Sequence, residues 1–171
     1  SGSNAPGIPA DFYSMAAEII QQKKAKLVVD TPGEALHHAL DSGVFLAKPN
    51  LGELSNLCGV AELDAGAVVE AARSIINKGR CAMMAVSMGA AGAMLITATE
   101  QYHVAAPPVK RKSTVGAGDS MVAGIMVALS ANMPWKNILQ YGVASGTAAT
   151  INAGTALCSK EDVEKIYAFM Q

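Results

Sequence analysis

A run of apolar residues at 81–86 is the feature that most constrains what this chain can fold into. A strand with one wet face alternates apolar and polar residues, whereas a continuous apolar run is typical of a strand buried on both faces of a parallel sheet. Shorter runs, apolar at 44–47 and apolar up to Asp30 at 27–30, alternate with segments of helical periodicity. This alternation predicts an α/β fold with three layers (α/β/α), in which helices cover both faces of a mostly parallel sheet.

Length and composition favour one packed domain that spans residues 1–171. Apolar residues make up 51% of the chain and charged residues only 16%, the balance of a globular protein and not of a disordered tail. The net charge of −1 gives no reason to expect a nucleic acid or a membrane surface as partner. No apolar run reaches the roughly 18 residues of a membrane span. Cys58, Cys81 and Cys158 lack CxxC spacing, which favours free thiols and a cytoplasmic location.

Apolar periodicity predicts helices at 9–24 and 63–78, and Gly79 suits the C-terminal end of the second. Pro134 is expected at the first position of a later helix, where its missing N–H costs nothing. Ser159 is expected to cap the last helix.

Residues 113–120 read Ser-Thr-Val-Gly-Ala-Gly-Asp-Ser and precede a small, apolar run that predicts a helix. Gly116 and Gly118 carry no side chain that would keep an anion from the backbone. A glycine-rich turn that opens a helix directs several N–H groups and the positive end of the helix dipole at one point, which is a candidate anion site. Asp119 lies in the first helical turn, where it either caps the helix or supplies chemistry, and both interpretations remain open.

Two further segments follow predicted strands, at the edge where open α/β sheets bind ligands. The first contains Lys48, Asn50 and Glu53, and the last two have the spacing of an ordinary capping box, so a structural and a ligand-binding role are both open. The second, Ser87-Met-Gly-Ala-Ala-Gly92, is either a plain hairpin turn or a ligand-binding turn.

The segment that begins Ser113-Thr-Val-Gly-Ala-Gly-Asp-Ser-Met-Val-Ala-Gly resembles the second signature of the PfkB/ribokinase family of carbohydrate kinases. The resemblance implies that Asp119 is the base that deprotonates the acceptor hydroxyl. It also implies that the amides of Gly116, Ala117 and Gly118 form the anion hole for the transferring phosphoryl group. Phosphoryl transfer depends on positioning and charge stabilisation, and these residue types suit both.

The same resemblance extends to cofactors. Lys48-Pro-Asn-x-x-Glu53 is similar to the family's Asn-x-x-Glu motif, which implies Mg²⁺ held mainly through water by Asn50 and Glu53. The residues that it places near the ATP are Lys48, Asn50, Ser87, Gly89, Gly92 and Thr147. The last lies in a small-residue patch at 144–149 that equally suits close helix packing. A K⁺ site of mostly backbone oxygens is implied at Ser113, Val115, Ala149, Asn152 and Gly154, although many family members carry Asp in place of Ser113.

The opening Ser1-Gly-Ser3-x-x-Pro-Gly resembles a loop near the middle of phosphofructokinase-type members of the family, with an artificial leader as the alternative. The resemblance implies that Ser1 and Ser3 contact the substrate. It further implies that the chain is a C-terminal portion, lacking the N-terminal strands and the β-sheet lid that often forms the dimer interface. We therefore expect an incomplete sugar site here and a homodimer in the full-length protein.

The reaction that the resemblance implies is ATP-dependent phosphorylation of a hydroxyl on a ketohexose phosphate, as in the phosphofructokinase-type branch. Fructose 1-phosphate, tagatose 6-phosphate, nucleoside or vitamin acceptors remain alternatives. A non-catalytic nucleotide-binding or assembly module is the alternative from a different class, because an unpaired sheet edge is a route to association.

Overall fold

The computed structural model describes residues 1–3, 5, 7–9, 11–64 and 66–171. Within these residues, the helices are α1 (Phe12–Gln22), α2 (Gly33–Asp41), α3 (Leu51–Leu57), α4 (Val68–Asn77), α5 (Ala117–Ser130), α6 (Trp135–Thr150) and α7 (Lys160–Phe169). The strands are β1 (Val28–Val29), β2 (Val44–Ala47), β3 (Cys81–Ser87), β4 (Ala93–Thr97) and β5 (Gln101–Val104). They form one sheet in the order β1-β2-β3-β4-β5. The α/β fold predicted from the apolar runs is confirmed.

The pairs β1/β2 and β2/β3 are parallel, with Val28 opposite Leu46 and Leu46 opposite Met83. Five of the seven residues of β3 are buried, as its continuous apolar sequence predicts. Because parallel strands end at the same edge, the residues that follow β1, β2 and β3 are brought to one side of the sheet.

The chain divides into two compact units. Unit 1 comprises Ser1–Ser87 and Ile96–Gln101, and unit 2 comprises Met88–Leu95 and Tyr102–Gln171. The fully buried side chains of unit 1 include Leu36, Leu40, Leu46, Leu54 and Met84, and those of unit 2 include Leu95, Ile125, Ile138 and Leu139. The single domain over 1–171 stays a prediction.

Helices α5 and α6 of unit 2 pack closely because glycines line their interface. A Cβ atom on Gly124 would collide with the Ser145 hydroxyl, and one on Gly142 would lie 2.6 Å from Cγ1 of Ile125. Thr147 lies in the small-residue patch and is only 7% exposed. Helix packing therefore accounts for Gly124 and Gly142.

Three predicted helix starts are wrong. The helix expected from residue 9 begins at Phe12. The helix expected from residue 63 begins at Val68, because Asp64 uses Oδ1 to accept the Ala67 N–H at 2.9 Å and closes a turn before the helix. Pro134 is the N-cap of α6 and not its first residue. Ser159 caps α7 as predicted, accepting the Asp162 N–H at 3.1 Å. Over the described residues, no helix combines the length and apolarity that crossing a membrane requires.

Candidate functional site

The glycine turn of unit 2 opens α5. Gly116 is the N-cap residue and has a φ of 74°, a left-handed conformation that costs other residues roughly 1–2 kcal/mol. A Cβ atom at this position would also collide with Cδ2 of Leu157. Glycine is therefore favoured at residue 116 by the backbone conformation, and a larger residue would also displace the end of the exposed Leu157 side chain.

The amides of the turn differ in how they are used. The Ala117 N–H donates to the Thr114 carbonyl at 3.3 Å, so one of the three amides expected in the anion hole already has a backbone partner. Among the described residues, no backbone carbonyl accepts from the amides of Gly116 or Gly118. These two N–H groups are the ones that can be offered to an anion.

Asp119 is the third residue of α5 and is exposed. Its carboxylate is therefore not withdrawn into the protein interior, the arrangement that would exclude it as a base. An acid in the first turn also interacts favourably with the helix dipole, so the geometry is compatible with capping and with chemistry.

The residues expected to hold K⁺ lie in unit 2, in the loop before α5 and at the C-terminal end of α6 with the loop that follows it. The Ser113 hydroxyl donates to the Gly154 carbonyl at 2.7 Å and accepts the Val115 N–H at 3.2 Å. The Ala149 carbonyl accepts the Asn152 N–H at 3.2 Å. The donor set is oxygen-rich, as K⁺ requires, but the Ser113 hydroxyl already bonds the Gly154 carbonyl, and the Ala149 carbonyl already accepts an N–H.

The turn between β3 and β4 closes on itself. The Met88 N–H donates to the Gly92 carbonyl at 2.8 Å, and Gly89–Ala91 form a short 3-10 helix between them. Gly92 has a φ of 91°, and a Cβ atom there would collide with the Val104 carbonyl. Close backbone packing is thus a sufficient reason for glycine at residue 92. Gly89 has a φ of 59° and open space around it, so only its backbone conformation favours glycine there.

Unit 1 contains the predicted capping box at the start of α3. The Glu53 N–H donates to Oδ1 of Asn50 at 2.9 Å, and the Asn50 N–H donates to Oε2 of Glu53 at 2.9 Å. The structural alternative for this pair is therefore present. Each side chain uses one oxygen in the box, and a carboxylate that holds Mg²⁺ through water needs only its second oxygen. The described residues contain no group of three or more His, Cys, Asp or Glu side chains that could hold a metal ion directly.

The C-terminal ends of β2 and β3 bring other predicted residues of unit 1 together. Asn50 and Ser87 form a parallel bridge, and the Ser87 N–H donates to the Pro49 carbonyl at 3.0 Å. Lys48 is 5% exposed, and its Nζ lies 3.2 Å from Oδ1 of Asp30. Lys48, Asn50, Glu53 and Ser87 thus share one sheet edge.

Sequence reasoning missed Asp30. This residue directly follows β1, and its Oδ2 accepts the Ser1 hydroxyl at 3.3 Å. The signal was present, because an acid at the carboxyl end of a parallel strand lies where α/β sheets bind ligands. Ser3, the other residue predicted to contact substrate, is exposed.

Cysteine chemistry does not contribute to either candidate site. All three cysteines have free thiols. Burial raises the pKa of Cys81 to about 12 and also raises the pKa of Cys58, although the Lys78 ammonium opposes the second shift. Both thiols are therefore poor nucleophiles at neutral pH.

The fold and the glycine turn define an α/β protein with a candidate anion site at a helix N-terminus. The family described as pfkB family carbohydrate kinase matches residues 1–162, so this chain belongs to that family. The chain is 40% identical over 171 residues to the ATP-dependent 6-phosphofructokinase isozyme 2 of Escherichia coli. This alignment covers 99% of this chain and 55% of the relative. It is 35% identical over 152 residues to the 1-phosphofructokinase of Bacillus subtilis, in an alignment that covers 89% of this chain and 50% of the relative.

Solved structures agree with this assignment. The phosphofructokinase-2 of Escherichia coli in complex with potassium matches with a TM-score of 0.93 and 40% identity, over 98% of this chain and 55% of that one. The ribokinase of Arabidopsis thaliana complexed with ribose and ATP matches with a TM-score of 0.80 at 21% identity, over 94% of this chain and 53% of that one, and shows the fold alone. The chain spans about half the length of the curated relatives that it matches.

Proposed function

We propose that this chain is the nucleotide-binding part of a kinase that transfers a phosphoryl group from ATP to a hydroxyl of a ketohexose phosphate, in the manner of a 6-phosphofructokinase. The observation that carries the proposal is the start of α5, where a left-handed Gly116 is followed three residues later by an exposed Asp119. Family membership and the names of the relatives support the reaction class.

In this proposal, Asp119 takes the proton of the acceptor hydroxyl as the phosphoryl group arrives. The amides of Gly116 and Gly118 stabilise the charge on that group. The Ala117 amide contributes less, because it also donates to the Thr114 carbonyl. Little covalent chemistry is required of the protein, because phosphoryl transfer depends mainly on alignment and charge.

We propose six nucleotide contacts, and each is described within its own unit. Lys48, Asn50 and Ser87 belong to unit 1, and Gly89, Gly92 and Thr147 belong to unit 2. Thr147 is mostly buried in the small-residue patch, and we propose that it lies beside the nucleotide.

Mg²⁺, when bound, would neutralise charge on the phosphates. Glu53 and Asn50 suit it, since the capping box leaves one Glu53 oxygen for a water of the ion's hydration shell. For K⁺, we propose the oxygen set around Ser113 and Gly154. A relative supports this choice of ion, because the phosphofructokinase-2 of Escherichia coli has been solved in complex with potassium.

The remaining assignments concern the acceptor and the assembly. Ser1 and Ser3 are proposed to contact the sugar phosphate, and the sugar site is expected to be incomplete in this chain. A homodimer of the full-length protein and a cytoplasmic location stay predictions. One Escherichia coli structure is described as the tetrameric inhibited form of phosphofructokinase-2, which concerns that protein.

The test is ADP release by the longest natural reading frame that contains this chain, with fructose 6-phosphate, fructose 1-phosphate and tagatose 6-phosphate as acceptors. Asp119→Asn should lower turnover by about 10³ while nucleotide binding is retained. Asp162→Asn is a matched control, because Asp162 is also an acid in the first turn of an exposed helix end. Full activity of Asp119→Asn would show that the base is another group.

A second candidate is a non-catalytic nucleotide-binding or assembly module. It is favoured by the capping box and by the Ser113–Gly154 hydrogen bond, which give purely structural roles to residues proposed as ligand contacts. Calorimetry of the 171-residue chain with ATP-Mg measures nucleotide binding, and light scattering of the same sample measures association. Association of the chain, together with no turnover by the longer protein, would favour the module.

A further inference from the structure

Asp30 holds two polar groups of unit 1 with separate oxygens of one carboxylate. Its Oδ1 lies 3.2 Å from the Lys48 ammonium, and its Oδ2 accepts the Ser1 hydroxyl at 3.3 Å. Its backbone carbonyl also accepts the Gly2 N–H at 2.8 Å. The carboxylate is therefore fixed from two sides and cannot rotate freely about its last bond.

Lys48 is unusual among lysines because only 5% of its side chain is exposed. A buried ammonium is stable only when it is paired, and Lys48 pairs with Asp30. The backbone on both sides of the pair is also defined, since the Lys48 N–H donates to the Val29 carbonyl at 2.9 Å. The position of the ammonium is therefore set by Asp30 and not by the flexible lysine stem.

We propose that Asp30 is a positioning residue for a nucleoside polyphosphate: it holds the Lys48 ammonium in the place where it meets the phosphates. The inference rests on the proposed function, which assigns Lys48 to the nucleotide. An ammonium has three N–H donors, and the bond to Asp30 directs the other two. Without Asp30 the ammonium loses the partner that orients it, and a nucleotide must orient it again on binding.

The experiment compares ADP with adenosine as ligands of the 171-residue chain, by calorimetry. Adenosine has no phosphate, so any contribution of Lys48 is the difference between the two affinities. Asp30→Asn should weaken ADP binding about tenfold, the loss expected when one long side chain must be ordered on binding. The affinity for adenosine should stay unchanged, because adenosine does not meet Lys48. A general loss of structure would instead weaken the binding of both ligands.

Asp41→Asn is the matched control. Asp41 also pairs with a cation, Arg80, in the same unit, but at the C-terminal end of α2. This variant should bind both ligands as the unsubstituted chain does. Thermal unfolding of each variant reports whether it is folded.

Asp30→Asn leaves the Lys48 ammonium unpaired and could for that reason fail to fold. A comparison with a double variant covers this case. Lys48→Met and Asp30→Asn/Lys48→Met leave no unpaired ammonium. If Asp30 acts through Lys48, the two should bind ADP equally, whereas weaker binding by the double variant overturns the proposal.

The remaining outcomes separate the two levels of inference. If Asp30→Asn binds ADP as tightly as the unsubstituted chain, or more tightly, Asp30 does not position Lys48 and the nucleotide site itself stands. If the unsubstituted chain binds ADP no better than adenosine, the nucleotide assignment fails and this inference fails with it.

Discussion

Two helices of this protein begin with the same spacing, an N-cap residue followed three positions later by an acid. They differ in whether the side chain of the N-cap residue accepts a hydrogen bond from the first backbone N–H groups. At α3 the N-cap is Asn50 and the acid is Glu53, and the two close a reciprocal capping box. At α5 the N-cap is Gly116 and the acid is Asp119, and no N-cap side chain is present to accept an N–H. Even the second helical residue is the same, because both helices have glycine there, at 52 and 118.

The difference teaches that the N-cap residue decides whether a helix N-terminus is closed or available. Side-chain caps satisfy the first N–H groups and stabilise the helix, whereas a left-handed glycine leaves those groups for another acceptor. The closed end in unit 1 begins at Asn50, which also forms a bridge with Ser87. The open end in unit 2 is the place where an anion can be bound by the backbone alone.

The largest expected effect concerns the two acids. In the longer protein, Asp119→Asn should lower kcat by about 10³, within the range of a general base, at any Mg²⁺ concentration. Glu53→Gln should lower turnover by about 10-fold to 100-fold and regain part of it at high Mg²⁺, since its role is to hold the ion's water. Turnover measured against Mg²⁺ concentration distinguishes them. Equal, Mg²⁺-independent losses would contradict the division of roles.

The second effect concerns stability at the open end. Gly116→Ala should lower the free energy of unfolding by about 1–2 kcal/mol from the left-handed conformation, plus a smaller cost for displacing the exposed Leu157 side chain. Gly33→Ala is the control, because Gly33 has a φ of 63° with nothing near its Cβ position, and it should cost only about 1–2 kcal/mol. Denaturant titration measures both.

The contribution of packing can be isolated from that of the backbone. Adding Leu157→Ala to Gly116→Ala removes the collision, and Leu157 is itself 56% exposed, so its truncation costs little. The double variant should therefore recover to the level of Gly33→Ala. No recovery would mean that Leu157 does not restrict residue 116.

Sequence patterns predicted the strands better than the contacts between them. The strand at 44–47 was located to the residue, since short apolar runs between turn residues have few alternative structures. The capping box was foreseen because its partners are three residues apart. The start of α4 was not, since Asp64 makes a local turn that periodicity does not reveal.

The pair of Asp30 and Lys48 shows why part of the site stayed hidden. The two residues are 18 positions apart, and they become neighbours only through the register of β1 and β2, in which Val29 lies opposite Ala47. Register depends on which faces are buried, so it emerges from the whole sheet and not from a local motif. Gly92 teaches the converse: its pattern suggested a ligand turn, but close backbone packing alone accounts for it.

The third effect tests the closed end. Asn50→Ala removes a side-chain cap and should lower the free energy of unfolding by about 1 kcal/mol, or the melting temperature by about 2–4 °C for a chain of this length. Asn56→Ala, an exposed position in the same helix, is the matched control and should change little. If both variants melt alike, the capping box does not stabilise α3.

The smallest effect compares the two glycines at the second helical position, Gly52 and Gly118. Alanine is the better helix former by up to about 1 kcal/mol, so Gly52→Ala and Gly118→Ala should each raise the melting temperature slightly. A Cβ atom on Gly52 lies 3.4 Å from Oδ1 of Asn50, an ordinary contact that leaves the box intact. Only Gly118→Ala should weaken binding of ATP-Mg, because a methyl group then stands beside amides that an anion must approach. Calorimetry of the two variants decides the matter: equal nucleotide affinities would mean that the open end of α5 is not where the phosphates bind.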